Sequence, residues 1–304
     1  VRLRVLGAAA GGGFPQWNCA CQNCERARAG APGFEARTED SLAVSKDGEF
    51  WFVLNACAAI HAQIAAFPPL WPRAGRTSPI AGVVLVNGDL DHVLGLFTLR
   101  ESTPLVVYAT DAVFRALVDR NAVAQTLKRF PEQLTHRRLA LGAPTPLLLP
   151  SGEPSGLSIV ARPAAGKLPI HLVGSSDPSP EDNVGIWIHE DGSPRVAAYV
   201  TAAATLDGLR PALDEASCVF FDGTFWREDE LIALGLGKST AREMAHLPIG
   251  GPTGSLAALR DVKARKIYMH INNTNPILDP GSPERRAVEQ AGWQIATDGL
   301  EVTL

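Results

Sequence analysis

The groups best equipped for chemistry crowd into one stretch, Val83-Val84-Leu85-Val86-Asn87-Gly88-Asp89-Leu90-Asp91-His92. Four apolar residues run into a polar turn that carries two carboxylates and an imidazole within four positions, and an apolar segment then resumes over 93–99. This pattern predicts a strand buried on both faces whose end delivers Asp89, Asp91 and His92 to one point, where oxygen and nitrogen donors suit a metal ion. A second set stands near the start of the chain: Cys19, Cys21 and Cys24, spaced C-x-C-x-x-C. Three thiols so close together converge on one ion, and zinc is the ion that thiolates favour, so a structural zinc is expected there. Its fourth ligand must come from elsewhere in the chain.

Later strands also end in polar groups. The apolar run 218–221 ends in Asp222, and the run 266–269 ends in His270. Cys57 and His61 lie four apart on an expected helix over 56–66, a weaker pair better read as ordinary helix residues. Strands are also expected over 2–6, 41–44, 50–54, 104–109 and 157–162, with 184–189 and 196–201 forming a hairpin. The turn Lys46-Asp47-Gly48 joins two of them. Helices are expected over 111–120, with Thr110 as N-cap, over 203–215 and over 256–263. Residues 121–150 fit neither period. The stretch 164–182 is rich in Pro, Ser and Gly and reads as a long loop that covers a site. The unit that recurs is a short apolar strand with Asp or His at its end, in two strand-rich halves, which predicts two sheets packed face to face with helices outside.

At 304 residues and 46% hydrophobic the chain is long and apolar enough to bury a large core. A net charge of -4, with no stripe of Lys or Arg, speaks against a nucleic-acid partner. No apolar run approaches the roughly 20 residues that span a bilayer, so no membrane partner is expected. The first apolar run dissolves into Gly11-Gly12-Gly13, unlike a signal peptide, and an odd set of five cysteines suits a reducing compartment. The expected location is the cytoplasm.

A strand running into a turn that ends Asp-His, a later strand ending in Asp and a last strand ending in His resemble the metallo-β-lactamase superfamily. In its usual motif, H-x-H-x-D-H, Asn87 and Asp89 stand where the first two histidines belong, while Asp91 and His92 match and His270 falls at the last histidine. Longer stretches narrow the likeness. Gly11-Gly12-Gly13-Phe14-Pro15-Gln16-Trp17-Asn18-Cys19 with Cys21 and Cys24, Asp222-Gly223-Thr224, Met244-Ala245-His246-Leu247, His270-Ile271-Asn272-Asn273-Thr274-Asn275-Pro276 and Asp298-Gly299-Leu300 resemble the pyrroloquinoline quinone (PQQ) biosynthesis protein B family, over essentially the whole chain. The resemblance implies an α+β or α/β fold, a metallo-β-lactamase-like αββα sandwich of two mixed sheets flanked by helices. It implies one domain over 1–304 with a three-cysteine zinc loop at 19–24, and Asn273 as candidate fourth zinc ligand.

The departures from the hydrolytic pattern bear on the chemistry. Asp182-Asn183 stands where a third histidine would lie, and the strand expected to end in a bridging Asp ends in Thr201-Ala202-Ala203. What survives is Asp91, His92 and His270, with Asp89 adjacent. Two histidines and a carboxylate compose the facial triad that holds non-haem Fe(II) with positions open for O2 and substrate, although zinc suits the same ligands. The resemblance implies iron- and O2-dependent hydroxylation of the tyrosine ring of a tyrosine or glutamate-tyrosine intermediate. His246, Asp222 and Arg242 are then candidates for substrate binding or for supporting the metal ligands. Two other readings stand beside it: a mononuclear zinc hydrolase, and a carrier for PQQ or an intermediate. The partners expected are the tyrosine-derived small molecule and O2, with other proteins of the same pathway and a homodimer left open.

Overall fold

Alternation of arginine with Leu3 and Val5 turns one face of the first segment to the core and the other to solvent, and it forms strand β1 (Arg2–Gly7). The computed structural model describes residues 1–101, 103–119 and 121–304. β2 (Ser41–Ser45), β3 (Trp51–Leu54), β4 (Ile80–Val84), β5 (Leu105–Ala109) and β6 (Leu134–Arg138) continue the sheet that β1 begins. A second sheet takes β7 (Pro144–Leu148), β8 (Pro154–Pro163), β9 (Val184–Glu190), β10 (Val196–Val200), β11 (Cys218–Asp222), β12 (Arg265–Met269) and β13 (Trp293–Ile295). The last strand, β14 (Glu301–Thr303), returns to the first sheet and pairs with β1.

The strand orders are β14-β1-β2-β3-β4-β5-β6 and β13-β12-β11-β10-β9-β8-β7. In each sheet antiparallel neighbours give way to parallel ones, at β3 to β4 and at β10 to β11. Both sheets are therefore mixed, and the expected two-half arrangement is present. Leu42, Phe52, Leu54 and Tyr108 of the first sheet meet Ile159, Ile186, Tyr199 and Phe220 of the second in one buried layer. The outer faces carry separate apolar clusters under the helices, which gives four layers, helix, sheet, sheet and helix.

The helices are α1 (Gln22–Arg28), α2 (Ile60–Ala66), α3 (Leu90–Val93), α4 (Asp111–Val118), α5 (Arg210–Asp214), α6 (Glu230–Ala233), α7 (Ser255–Ala258) and α8 (Pro283–Gln290). Several are shorter than the sequence suggests. The stretch 203–215 is helical only from Arg210, because Gly208 adopts φ +73° and Pro211 fits only a first turn. The stretch 256–263 gives only the four residues of α7. α2 begins at Ile60, because Asn55 is left-handed at φ 59° and Ala56 is tied to the next segment. Thr110 does cap α4, its hydroxyl accepting from the Val113 amide at 3.2 Å, while the expected end at Arg120 lies outside the described residues. The unassigned stretch 121–150 holds a 3-10 turn (Ala122–Lys128), β6 and β7. Among the described residues no helix is long and apolar enough to cross a membrane.

The parallel strands of the two sheets carry the chemistry at their carboxyl ends, where open sheets leave a crevice for ligands. β4 stops at Val84, but Leu85 and Val86 stay buried, and the Val184 amide donates to the Val86 carbonyl at 2.9 Å, so the turn after β4 leans across to the second sheet. The segment after β3 clamps α3 from behind. The Ala56 amide donates to the His92 carbonyl at 2.7 Å, and the Gly95 amide to the Ala56 carbonyl at 2.8 Å. A Cβ at Gly95 would stand 2.1 Å from the Cys57 carbonyl oxygen, so only glycine permits this approach. Gly95→Ala is expected to cost about 1–3 kcal/mol through forced backbone movement, read as a lower denaturant midpoint at unchanged slope.

Candidate metal centres

His92 lies in the single turn of α3 and is fully buried. Its Nδ1–H donates to Asn87 Oδ1 at 2.6 Å, because that oxygen can only accept while the Asn87 amide nitrogen donates to Asn183. The other ring nitrogen, Nε2, is buried and has no hydrogen-bond partner. Two carboxylates face it: Asp40 Oδ2 at 3.7 Å and Asp91 Oδ2 at 3.9 Å. An imidazole held at one nitrogen by a fixed acceptor, with the other unsatisfied among carboxylates, is the usual state of a metal ligand.

His270 follows β12 and adopts φ 56°, a left-handed conformation that side chains seldom take and that clusters at functional sites. Its Nδ1 meets the Thr224 hydroxyl at 2.8 Å, and that hydroxyl donates to Asp222 Oδ1 at 2.6 Å, so the ring donates from Nδ1. Nε2 is thereby directed to Asp91 Oδ2 at 3.4 Å. Burial alone would lower the pKa of His270. The hydrogen bond to Asp91 and the charges of Asp40, Asp91 and Asp222 outweigh it and raise His270 to about 9. Burial likewise opposes ionisation of Asp91, yet His92 and His270 hold its carboxyl well below the usual range. The pocket is short of positive charge, which a divalent cation would supply.

Asp40, His92 and His270 offer ligand atoms within 4.8 Å of one another, as do Asp222, His246 and His270. Asp91, His92 and His270 come together as the sequence predicted. Asp89 does not join them: it precedes α3 and lines the cavity wall, and its carboxylate has no ion pair among the described residues. Asp222 is fully buried and accepts from His246 Nδ1 at 2.8 Å and from the Ala203 amide at 3.2 Å. The His246 ring lies along that of His270, with centroids 5.2 Å apart. Arg242 is not brought to this cavity; it pairs with Glu228 and lines a separate groove with Trp226.

Sequence reading missed Asp40. Tyr199 Oη donates to its Oδ2 at 2.6 Å, and its Oδ1 is buried without a partner. Burial raises its pKa, which His270, His92 and Tyr199 only partly offset. Fifty residues separate it from the Asp-His turn, and only the placing of β2 beside β3 and β4 brings them together. The cavity above these groups has a volume of about 500 Å³ and is walled by Leu90, Leu168, Ile170, Phe225, Leu231 and Met244.

Cys19, Cys21 and Cys24 form the other cluster, their sulfurs within 4.8 Å of one another. Burial pushes the Cys21 thiol up to about 11, whereas at Cys19 hydrogen bonds from Cys21, Cys24 and Asn273 overcome burial and lower it. The Asn273 side-chain amide stands 3.1 Å from Cys19 Sγ, 3.4 Å from Cys24 Sγ and 3.6 Å from Cys21 Sγ. Rotation of that amide by half a turn presents its oxygen instead, so three thiolates and one amide oxygen make a four-ligand set that fits zinc.

Two variants separate the centres. Cys24→Ser is expected to lose one zinc per chain by elemental analysis and to lower the melting temperature. Asn87→Ala leaves the zinc in place but is expected to weaken metal affinity at His92 by about 10- to 100-fold in a competitive chelator titration.

Comparison with known proteins places this geometry. The model of the Beta-lactamase superfamily domain matches residues 50–271. Coenzyme PQQ synthesis protein B of Gluconacetobacter diazotrophicus is 43% identical, covering 100% of this chain and 99% of its own, and that of Bradyrhizobium diazoefficiens is 41% identical over the whole of both. Among solved structures, Zn(2+)-bound PqqB from Methylobacterium extorquens is 39% identical, with a TM-score of 0.92 over all of both chains. A diphosphatase of the PhnP family, 19% identical with a TM-score of 0.68 over 100% of this chain and 97% of its own, shares the fold. A mixed double sheet, an Asp-His turn, a strand-terminal histidine and full-length identity at this level together make the chain a member of the coenzyme PQQ synthesis protein B family, within the β-lactamase superfamily.

Proposed function

We propose that this chain acts in PQQ biosynthesis as a non-haem iron hydroxylase, adding oxygen to the tyrosine ring of a tyrosine or glutamate-tyrosine intermediate. One observation carries the reading: His92 and His270 are each fixed at Nδ1, by Asn87 and Thr224, and turn Nε2 toward Asp91 at the base of an apolar-walled cavity. Asp91, whose Oδ2 faces both Nε2 atoms, would hold the ion with His92 and His270, and the Asp40 carboxylate, clustered with the same two rings, stands beside it. Asn87, Asp89 and Asn183 stand where a second metal would need imidazoles, which supports a single ion with free positions. Ferrous iron, when bound, supplies the activation of O2 that the polypeptide cannot.

The remaining work falls to the chain. Asn87 and Thr224 fix the orientation of the two histidine rings at Nδ1, which aims each Nε2 at the place the ion would take. Asp222 engages His246 at Nδ1 and leaves the other ring nitrogen as an acceptor for the phenol proton, which orients the ring. Leu90, Leu168, Phe225 and Met244 enclose the aromatic face and exclude water from it. The thiol cluster would hold zinc as a structural ion, closed by its own four ligands.

Protein purified and reconstituted without oxygen is expected to hold one zinc and one iron per chain, and to convert the tyrosine-derived substrate to a product heavier by one oxygen atom when O2 is admitted together with a two-electron reductant such as ascorbate, the second oxygen atom leaving as water. His92→Ala and His270→Ala are each expected to keep the zinc and lose the iron, with turnover reduced by more than a hundredfold. Product formation at the native rate in both variants sinks the proposal. Zinc at both centres, with hydrolysis and no uptake of iron, returns the chain to the hydrolase reading. Undiminished affinity for PQQ without turnover returns it to the carrier reading.

A further inference from the structure

The cavity over His92 and His270 is acidic at its base. Asp89 and Asp91 line it, and Asp40 and Asp222 lie buried behind it. With a bound cation's charge spent on those acids, a substrate that carries its own carboxylate needs further positive charge nearby. Among the described lining residues one lysine and no arginine are present: Lys167. It belongs to the loop between β8 and β9, in the stretch that composition marks as a cover.

That stretch is seated closely on the turn after β4. A Cβ at Gly166 would stand 2.5 Å from Asn183 Cβ, and one at Gly88 would stand 3.0 Å from Pro169 Cγ, so both contacts depend on glycine. The Ala164 amide donates to the Asn183 carbonyl at 3.0 Å, and the Ala204 amide to the Ala165 carbonyl at 2.8 Å. On the far side His171 Nε2 meets the Ala116 carbonyl at 3.0 Å. Lys167 is thus held between two anchored points, Gly166 and Pro169, at the rim of the cavity. Among the described residues no carboxylate pairs with its ammonium and no hydrogen bond engages it, so the fold does not use its charge. Leu168, Ile170 and Val173 follow it on the same lip and add apolar wall.

We propose that Lys167 recognises a carboxylate of the substrate and sets how deeply its ring enters the cavity. This rests on the reading of the cavity as a site for a tyrosine-derived phenol. The ligand chemistry is a phenol at one end and a free carboxylate at the other, with the ring between the apolar walls. Lysine suits the task because its ammonium is a mobile point charge on a long stem, able to meet a carboxylate at a solvent-facing rim.

The test is calorimetric binding without oxygen to the metal-loaded protein, with L-tyrosine and tyramine as probes, which differ by the carboxylate alone. The native chain is expected to bind tyrosine about five- to tenfold more tightly than tyramine, the strength of a partly exposed ion pair. Lys167→Ala is expected to abolish that preference by weakening tyrosine and sparing tyramine, Lys167→Arg to retain most of it, and Gly166→Ala to lose it through displacement of the lip, all at native metal content. Native preference in Lys167→Ala, or equal binding of the two probes by the native chain, overturns the assignment of Lys167 while leaving the phenol site standing. Failure of the native chain to bind either probe overturns the phenol site and this inference with it.

Discussion

Buried negative charge is the constraint on which this structure turns. Asp40 and Asp222 are fully enclosed and Asp91 is mostly so, and all three lie within reach of His270. A carboxylate withdrawn from water costs several kcal/mol unless it is paired or accepts hydrogen bonds. Each acid here has its own set of donors: Tyr199 for Asp40, Thr224, His246 and an amide for Asp222, His270 for Asp91. Those donors all belong to the second sheet and its loops, while Asp40 and Asp91 belong to the first, so the site also joins the halves of the sandwich. The unsatisfied His92 Nε2 faces Asp40 Oδ2 and Asp91 Oδ2, the point where an ion fits.

The topology makes that convergence possible. Where each sheet changes from antiparallel to parallel, successive strands release their carboxyl ends on the same side, and the two crevices face one another. Local strain finishes the placement. Asn55, Ala245 and His270 take left-handed backbone conformations, at φ 59°, 71° and 56°, each beside a group that binds or braces the site. Asparagine accepts that conformation readily, but alanine does not, so at Ala245 above all the surrounding packing imposes it.

Much of this was legible in the sequence, and the reason is specific. A short apolar run that ends in an acid or an imidazole has one reading, a buried strand presenting its end, and the Asp-His turn, Asp222 and His270 were all visible that way. The thiol cluster was visible from spacing alone. Asp40 was not, because it precedes an ordinary strand and acquires its meaning from sheet order. Arg242 was misplaced because a charge near a histidine in sequence need not share its cavity, and here Glu228 takes it. The helices over 203–215 and 256–263 were overdrawn because alanine and leucine favour a helix that Gly208 and the packing then cut short. The role of Gly88, Gly95 and Gly166 was likewise hidden, since what a missing Cβ would strike depends on segments remote in the chain.

The loop after β12 holds His270 at its start and Asn273 three residues on, with Ile271 between them bonded through its backbone to Ala8 and Ala10. One short stretch therefore contributes to the nitrogen-and-carboxylate centre and to the sulfur centre at once. Were each centre to hold its ion, the two would share the entropic cost of ordering it, and by linkage each would lower that cost for the other. Thiolates select zinc strongly, whereas the mixed nitrogen and oxygen set discriminates poorly among divalent metals. Filling the sulfur centre first would then shape the second centre while removing zinc from the competition for it. Metal identity would then be a matter of assembly order as much as of ligand choice.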